Sequence, residues 1–183
     1  MKRGFDFLIA AVLLVLLSPV LLATALAVRL AMGSPVLLRQ IRPGLDGQPF
    51  AFLKFRSMTE DRDASGELLP DAQRMTPFGA WLRRSSLDEL PQLINVLRGD
   101  MSLVGPRPPI PYEARHYRAW HLRRLLQLKP GITGPWQVSG RSQVPFDDMV
   151  RMDLRYIARS SLGLDLLLLA RTVGVVFSGR GAR

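Results

Sequence analysis

The sequence FLIAAVLLVLLSPVLLATALAV, residues 7–28, runs for 22 residues without a charged side chain and dominates the predicted architecture. An α-helix rises about 1.5 Å per residue, so this stretch is long enough to reach across a bilayer core of roughly 30 Å. Ser18 and Pro19 stand at its middle. Because proline removes a backbone donor and clashes with the preceding turn, the sequence predicts a bend there.

Positive charges flank this apolar run on both sides, at Lys2, Arg3, Arg29, Arg39 and Arg42. Since cationic flanks favour the cytoplasmic side, a helix that enters the membrane, turns at Ser18-Pro19 and leaves on the same side satisfies both flanks. The serine hydroxyl could bond a carbonyl that the proline leaves free. The alternatives are a straight, kinked span and a cleaved signal peptide, although the run exceeds the ~7 to 15 apolar residues of such a peptide.

The amino-acid composition limits the classes of partner and of chemical site that the chain can have. It has 183 residues, of which 48% are hydrophobic, so one packed core is expected. Lys and Arg number 25 against 15 Asp and Glu, and the net charge of +10 favours partners that carry phosphate. The absence of cysteine excludes a disulfide framework, thiolate metal sites and cysteine nucleophiles.

Beyond residue 33, periodicity and breakers predict a short β-hairpin followed by helices. The predicted elements are a hairpin over 35–58, an exposed loop over 59–76, two helices or one broken helix over 77–97, irregular connections over 99–112 and 130–141, a basic amphipathic helix over 112–127, and helices over 146–159 and 161–177. The basic helix either exposes a solvated face or contacts lipid headgroups. The last helix either packs in the core or lies partly in the membrane interface.

The common phosphate-binding and catalytic motifs are absent from the sequence. There is no G-x-x-x-x-G-K-[ST], and no G-x-G-x-x-G follows a strand. Both histidines, His116 and His121, fall in the predicted basic helix, so a histidine metal cluster and a Ser-His-Asp triad are excluded.

The chemistry then points to SSLDELPQL, residues 85–93, in which Asp88 and Glu89 precede a proline. One interpretation is structural, because Ser86 and Glu89 have the spacing of a capping box. The other is chemical: one carboxylate attacks phosphorus to form an acyl phosphate, while the second holds Mg²⁺. Arginines would neutralise the anionic target.

At this point the chain resembles the bacterial sugar transferase family, the small monotopic polyprenyl-phosphate phosphoglycosyltransferases, over nearly its whole length. The matching segments, in order, are KRGFDFLIAAVLLVLLSP (2–19), GSPVLLRQIRPGLDGQPF (33–50), KFRSM (54–58), SLDELPQLINVLRGDMSLVGPRP (86–108), PGITGPWQVSGR (130–141) and DLRYIARSSLGLDLLLLARTV (153–173).

The resemblance implies an enzyme that moves a sugar 1-phosphate from a UDP-sugar to undecaprenyl or another polyprenyl phosphate, releases UMP and starts a bacterial glycoconjugate. It implies that Asp88 is the nucleophile, forming a covalent phosphosugar, and that Glu89 ligates Mg²⁺. It also implies a re-entrant helix broken at Ser18 and Pro19. Arg141 looks like the family's phosphate-binding arginine.

Three further positions match family motifs. Lys54 of KFRSM and Arg107 of GPRP are expected near the substrate phosphates, and Asp165 is either a site residue or the cap of the last helix. The sequence departs from the family in GPWQVSGR, which commonly reads Gly-Trp-Ala-Gln-Val-Asn-Gly-Arg, and this bears on sugar or uridine preference. The chain begins at the re-entrant segment, so the minimal catalytic core is expected.

We therefore expect a mostly helical α+β chain with a re-entrant helix hairpin over 1–32. Residues 33–183 would form a cytoplasmic catalytic domain with a short β-hairpin and interfacial helices, bound to the inner face of the bacterial plasma membrane. Expected partners are the nucleotide sugar, polyprenyl phosphate and membrane lipid, without nucleic acid, and a second copy of the chain is a candidate. The competing hypotheses are a non-catalytic basic module that binds anionic lipid or nucleic acid, and a lipid phosphatase.

Overall fold

The computed structural model describes residues 2–110, 117–125, 127–140 and 143–178. The described chain is mostly helical, with two small β-sheets. Its α-helices are α1 (Lys2–Leu16), α2 (Ser18–Met32), α3 (Asp71–Arg74), α4 (Pro77–Ser85), α5 (Gln92–Arg98), α6 (Ala119–Leu122), α7 (Pro135–Ser139), α8 (Phe146–Arg159) and α9 (Leu162–Ser178). Its strands are β1 (Leu37–Pro43), β2 (Pro49–Phe55), β3 (Ser102–Val104) and β4 (Gly131–Thr133). The predicted α+β class is confirmed.

The apolar N-terminal run forms two helices that meet at an angle of 64° between Leu16 and Ser18. Pro19 occupies the first turn of α2, where its missing N–H costs no helical hydrogen bond. The Ser18 hydroxyl donates to the Val15 carbonyl at 2.8 Å, as the sequence predicted for the break. No single helix of the described residues is long and apolar enough to cross a membrane, whereas the bent pair of α1 and α2 meets that criterion by length and composition only.

The predicted hairpin is present, with β1 and β2 antiparallel and Leu38 opposite Lys54. A 3₁₀ turn over Leu45–Gly47 joins the strands. Asp46 takes a left-handed conformation in it, with φ of 55°, which asparagine and aspartate tolerate better than most residues. Residues 59–76 form the expected exposed loop, apart from the single helical turn α3.

Residues 77–98 form two helices separated by a 3₁₀ turn, one of the two predicted arrangements. Thr76 caps α4 by accepting a hydrogen bond from the Gly79 N–H at 2.9 Å, and Pro77 follows as the first helical residue. The helix ends at Ser85, and its C-cap Ser86 has a left-handed φ of 57°. The chain then enters the 3₁₀ turn Leu87–Glu89, and α5 follows Pro91, ends at Arg98 and is capped by Gly99.

The prediction of irregular structure over 99–112 and 130–141 is wrong in part. Residues from both stretches form a two-stranded parallel sheet, in which Ser102 pairs with Gly131 and Val104 with Thr133. The backbones approach so closely that a Cβ on Gly131 would lie 2.0 Å from the Gly105 nitrogen. Glycine is required there to let the two segments meet.

The basic amphipathic helix predicted over 112–127 is also wrong in extent. Residues 111–116 and 126 lie outside the described part of the chain. Within 117–125, only α6 and a 3₁₀ turn over Arg123–Leu125 are helical. The two predicted C-terminal helices are confirmed as α8 and α9.

Two apolar clusters hold these elements together. The larger joins α1, β2, α5, β3, α8 and α9, with Phe52, Val96 and Met101 essentially inaccessible to solvent. The smaller joins α2, β2 and α4 through Val28, Phe55 and Leu82. The two N-terminal helices therefore pack in the same apolar clusters as the rest of the chain: α1 with β2 and α5, and α2 with β2 and α4.

Candidate active site

Asp88 lies at the centre of the 3₁₀ turn between α4 and α5 and is only 5% exposed. The left-handed Ser86 places this turn against β2 by ending α4 abruptly. A left-handed conformation is costly for a residue with a Cβ, and such strain clusters at functional sites. The capping-box interpretation is wrong, because the Ser86 side chain makes no capping hydrogen bond.

A buried asparagine fixes the distance between this turn and β2. Asn95 of α5 is fully buried and bonds the unpaired edge of the strand, since its Oδ1 accepts from the Leu53 N–H at 3.1 Å and its Nδ2 donates to the Ala51 carbonyl at 2.7 Å. Because Lys54 follows Leu53 in this strand, the docking holds Lys54 within electrostatic range of Asp88.

Glu89 faces the loop that follows β3. Arg107 of that loop donates from Nη2 to Glu89 Oε1 at 2.6 Å, and about a quarter of each side chain is exposed. Arg42 supports the loop from β1, because it is buried, donates to the Pro108 carbonyl at 2.8 Å and lies 4.1 Å over the Phe52 ring. Two strands and a loop thus converge on the acidic pair.

The electrostatics of the site are unusual for a carboxylate. Burial, and next the negative charge of Glu89, raise the pKa of Asp88 to about 6, against the opposing effects of Lys54, Arg107 and Arg83. Burial also lowers the pKa of Lys54, with the charge of Asp88 acting in the opposite direction. Such opposed perturbations in one place are typical of reacting centres.

The donor set of the site is small. Among the described residues no group of three or more His, Cys, Asp or Glu side chains could hold a metal ion. Asp88 and Glu89 can supply two carboxylates at most. Mg²⁺ commonly binds in this way, through one or two carboxylates completed by substrate phosphates and water. The residues therefore fit a metal that arrives with a phosphorylated substrate.

The other sequence candidates fall in different places. Arg141 and His116 lie outside the described residues. His121 is buried, with Nε2 3.2 Å from Asp147 and Nδ1 accepting from the Arg118 N–H. Asp165 is in the first turn of α9, but its buried carboxylate accepts from Lys2 and from the Tyr156 hydroxyl, each at 2.5 Å.

Two arginines of the site, Arg42 and Arg83, were missed by the sequence analysis. Arg83, in the last turn of α4, lowers the pKa values of both Asp88 and Lys54 and donates to Ser57 Oγ at 3.0 Å. The available signal in the sequence was that Arg83 lies only five residues before Asp88, at the end of a predicted helix. Arg42 gave none beyond its charge, because only the tertiary fold buries it against Phe52.

This arrangement, a buried aspartate and its glutamate neighbour among lysine and arginine side chains, defines a phosphate-handling enzyme, and comparison with known proteins identifies its family. The bacterial sugar transferase model matches residues 1–179. The chain therefore belongs to the bacterial sugar transferase family and is a sugar-phosphate transferase.

Individual relatives agree with the family match. The chain is 46% identical to the uncharacterized sugar transferase EpsL of Bacillus subtilis (strain 168), over 99% of this chain and 89% of that protein. It is 40% identical to the exopolysaccharide production protein ExoY of Rhizobium meliloti (strain 1021), over 99% and 87%. It is 41% identical to the UDP-glucose:undecaprenyl-phosphate glucose-1-phosphate transferase of Escherichia coli (strain K12), over 100% of this chain but 41% of that protein.

Proposed function

We propose that the protein transfers a sugar 1-phosphate from a UDP-sugar to a polyprenyl phosphate, releasing UMP and starting a bacterial glycoconjugate. The observation that carries this proposal is the buried Asp88, held beside Lys54, Arg83 and the Glu89–Arg107 ion pair. The relatives named for UDP-glucose or UDP-galactose and a lipid carrier support the choice of substrates.

The chemistry proceeds in two displacements on one phosphorus atom. An Asp88 carboxylate oxygen attacks the phosphorus that carries the sugar, the bond between that phosphorus and the bridging oxygen breaks, and UMP leaves with the bridging oxygen. An oxygen of the polyprenyl phosphate then attacks the same phosphorus, the acyl phosphate bond breaks, and Asp88 is regenerated. The product is a polyprenyl diphosphate sugar, and the kinetics are ping-pong.

Surrounding cations make this attack of an anion on an anion feasible. Lys54 and Arg83 act on Asp88 from the side of β2 and α4, while Arg107 reaches the site from the loop after β3. Fixed positive charges in a partly dehydrated site stabilise the extra negative charge of the transition state. Glu89, with Asp88 beside it, would hold Mg²⁺, which would neutralise substrate phosphates when bound.

We propose further that α1 and α2 form a re-entrant hairpin in the cytoplasmic leaflet, so that residues 1–32 are the membrane anchor and residues 33–183 the catalytic domain. Large apolar side chains cover the outward faces of both helices, with 51% to 77% of each exposed: Phe7, Leu8, Val15, Leu16, Leu22, Leu26 and Leu30. An exposed apolar surface of this extent fits lipid. The net charge of +10 favours the anionic headgroup plane.

The test is a reaction of the purified protein with Mg²⁺, UDP-sugars and polyprenyl phosphate, following UMP release and the mass of the protein. We expect UMP, a polyprenyl diphosphate sugar and, without the lipid, a phosphosugar adduct on Asp88. Asp88→Asn should lower UMP release by more than about 1,000-fold, because an amide is a poor nucleophile.

Asp148→Asn is the matched control, since the Asp148 side chain is 51% exposed and pairs with the exposed Arg151 of its own helix, and it should retain activity. Full activity of Asp88→Asn, with no adduct in the wild type, would refute the mechanism. Release of free sugar phosphate instead of the lipid product would favour the phosphatase hypothesis. A basic binding module would be indifferent to the loss of either carboxylate.

A further inference from the structure

A small cationic cleft lies close to Asp88, because two of its lining residues, Lys54 and Arg83, act electrostatically on that carboxylate. We call it the arginine cleft. Besides Leu38 and Met58, it is lined by polar side chains from β2, the residues that follow it, the exposed loop and α4: Lys54, Arg56, Ser57, Glu60, Arg74 and Arg83. Four cations and one carboxylate line the cleft, while Asp71 pairs with Arg74 and Asp88 lies within electrostatic range of Lys54 and Arg83. The balance of charge at the cleft is still positive and favours an anion.

Arg56 is the unusual member of this lining. It is only 6% exposed, and two of its nitrogens donate to carbonyls of Met32 and Ser34, at the end of α2 and just beyond it. Its Nε is buried and has no hydrogen-bond partner among the described residues. A buried guanidinium N–H without a protein acceptor is expensive, so this position favours an oxygen atom from a water molecule or a ligand.

The size of the cleft restricts what it can hold. Its volume is about 60 Å³. Pockets for whole small molecules span roughly 300 to 1,000 Å³. The arginine cleft is small beside these, so a phosphate group suits it better than a nucleoside or a sugar.

The position of the cleft selects the source of that phosphate. One wall, Arg56, is bonded to the end of α2, so the cleft lies where the proposed membrane hairpin leaves the bilayer. Another wall, Arg83, belongs to α4, whose Trp81 is 48% exposed and suits the headgroup region. Lys54 and Arg83 also act electrostatically on Asp88, which connects the cleft to the nucleophile.

We propose that the arginine cleft binds the phosphate monoester of the acceptor lipid and presents it to the Asp88 adduct, an inference that rests on the proposed function. The donor diphosphate would then be held by Arg107, with Glu89 as the residue that would hold Mg²⁺. Arg74, whose Nε is anchored to the Thr59 carbonyl at 2.8 Å, is an acceptor-binding residue that nothing in the sequence motifs indicates.

Ping-pong kinetics allow this proposal to be tested one substrate at a time, because kcat/KM for each substrate reports its own half-reaction. Arg74→Gln should lower kcat/KM for polyprenyl phosphate by about tenfold or more, since it removes a charge-assisted contact to phosphate. Formation of the adduct and the single-turnover release of UMP without lipid should change less than about twofold.

Arg62→Gln is the matched control, because Arg62 lies on the same loop but donates to the Gly66 carbonyl outside the cleft, and it should leave both half-reactions unchanged. Glu60→Gln tests the opposite direction: removing the one carboxylate should raise kcat/KM for the acceptor by about two- to fivefold. This gain cannot result from a misfolded variant.

Two results would overturn the assignment. If Arg74→Gln slows UMP release as much as discharge by the lipid, the cleft serves the nucleotide; if neither half-reaction changes, it serves no substrate. If the wild type itself gives no UMP and no adduct, the proposed function fails instead. Calorimetry with inorganic phosphate as the probe then tests the cleft separately. Arg74→Gln should weaken phosphate binding. An unchanged affinity would refute an anion site.

Discussion

At the scale of single residues, the site depends on the balance of charges around Asp88. Burial and Glu89 favour the neutral acid, whereas Lys54, Arg107 and Arg83 favour the carboxylate. The side chain therefore remains ionised near neutral pH while being poorly hydrated, and a dehydrated anion is a stronger nucleophile than a hydrated one. Substituting any of these cations should consequently change reactivity as well as binding.

This balance predicts the acid limb of the pH profile. The pKa of Asp88 is raised to about 6, and only the ionised carboxylate attacks phosphorus, so kcat/KM for the donor should fall by about tenfold per pH unit below that value. Lys54→Met removes the strongest of the opposing cations, so it should raise the pKa of Asp88 and move the limb to higher pH.

Lys54→Arg keeps the charge and is the control, with its limb expected near that of the wild type. The measurement is initial UMP release from about pH 5 to about pH 9 at constant Mg²⁺ and ionic strength, a range that brackets the limb. A limb that stays in place or moves to lower pH in Lys54→Met would contradict the assigned electrostatic coupling.

At the scale of secondary-structure elements, the site is built by close backbone contacts between α4, α5 and β2. Asn95 docks α5 on the edge of β2, as a strand would. On the other side α4 crosses the end of β2 so closely that a Cβ on Gly79 would lie 1.9 Å from the Ser57 carbonyl oxygen. This contact brings Arg83 within hydrogen-bonding distance of Ser57.

A pair of glycine substitutions tests this contact. In an open helix, glycine to alanine stabilises by roughly 0.5 to 1 kcal/mol, and Gly174 in α9 is such a position, because nothing lies within 4 Å of the added Cβ. Gly79→Ala should instead destabilise by about 1 to 3 kcal/mol, as overpacking does, and should also lower activity.

Thermal unfolding of both variants in one detergent measures the difference, with Gly174→Ala expected to melt above the wild type and Gly79→Ala below it. An equal rise in the melting temperature of both variants would show that Gly79 of α4 is not in close contact with the Ser57 carbonyl.

At the scale of the whole molecule, the N-terminal helices present two chemically different sides. The polar side of α1 binds the rest of the chain: Lys2 pairs with Asp165, Arg3 donates to the Val96 and Leu97 carbonyls at the end of α5, and Asp6 accepts from Ser102 at 2.8 Å. The other side is apolar and exposed. Through Arg3, α5, which begins just after the acidic pair, is hydrogen-bonded directly to α1 of the proposed membrane anchor.

The re-entrant arrangement predicts that both chain ends face the cytoplasm. The native chain has no cysteine, so single cysteines added before residue 1 and after residue 183 can be labelled with a membrane-impermeant maleimide. Both should react in inside-out vesicles and neither in intact spheroplasts. Pro19→Leu, which restores a helical residue at the break, should place part of the molecules with the first tag outside.

Labelling of the first tag from the periplasm in the wild type would contradict the hairpin and favour a straight span. Labelling of the second tag alone from the cytoplasm, with the first tag absent from the mature protein, would indicate cleavage of the segment.

Features that neighbouring residues encode could be predicted from the sequence alone. The bend at Ser18-Pro19, the hairpin strands, the helices predicted over 77–97, 146–159 and 161–177 and the acidic pair all follow from local periodicity, proline geometry and residue chemistry. The family resemblance added Lys54 and Arg107, and the structure brings both to Asp88 and Glu89.

Features that depend on residues far apart in the chain became visible only in the folded molecule. Ser102 pairs with Gly131, Asn95 bonds the edge of β2, and Arg42 and Arg83 converge on one site from a strand and a helix. No local pattern marks these contacts. The raised pKa of Asp88 belongs to the same class, because desolvation and charge are sums over every neighbour that the fold brings near, whatever its position in the sequence.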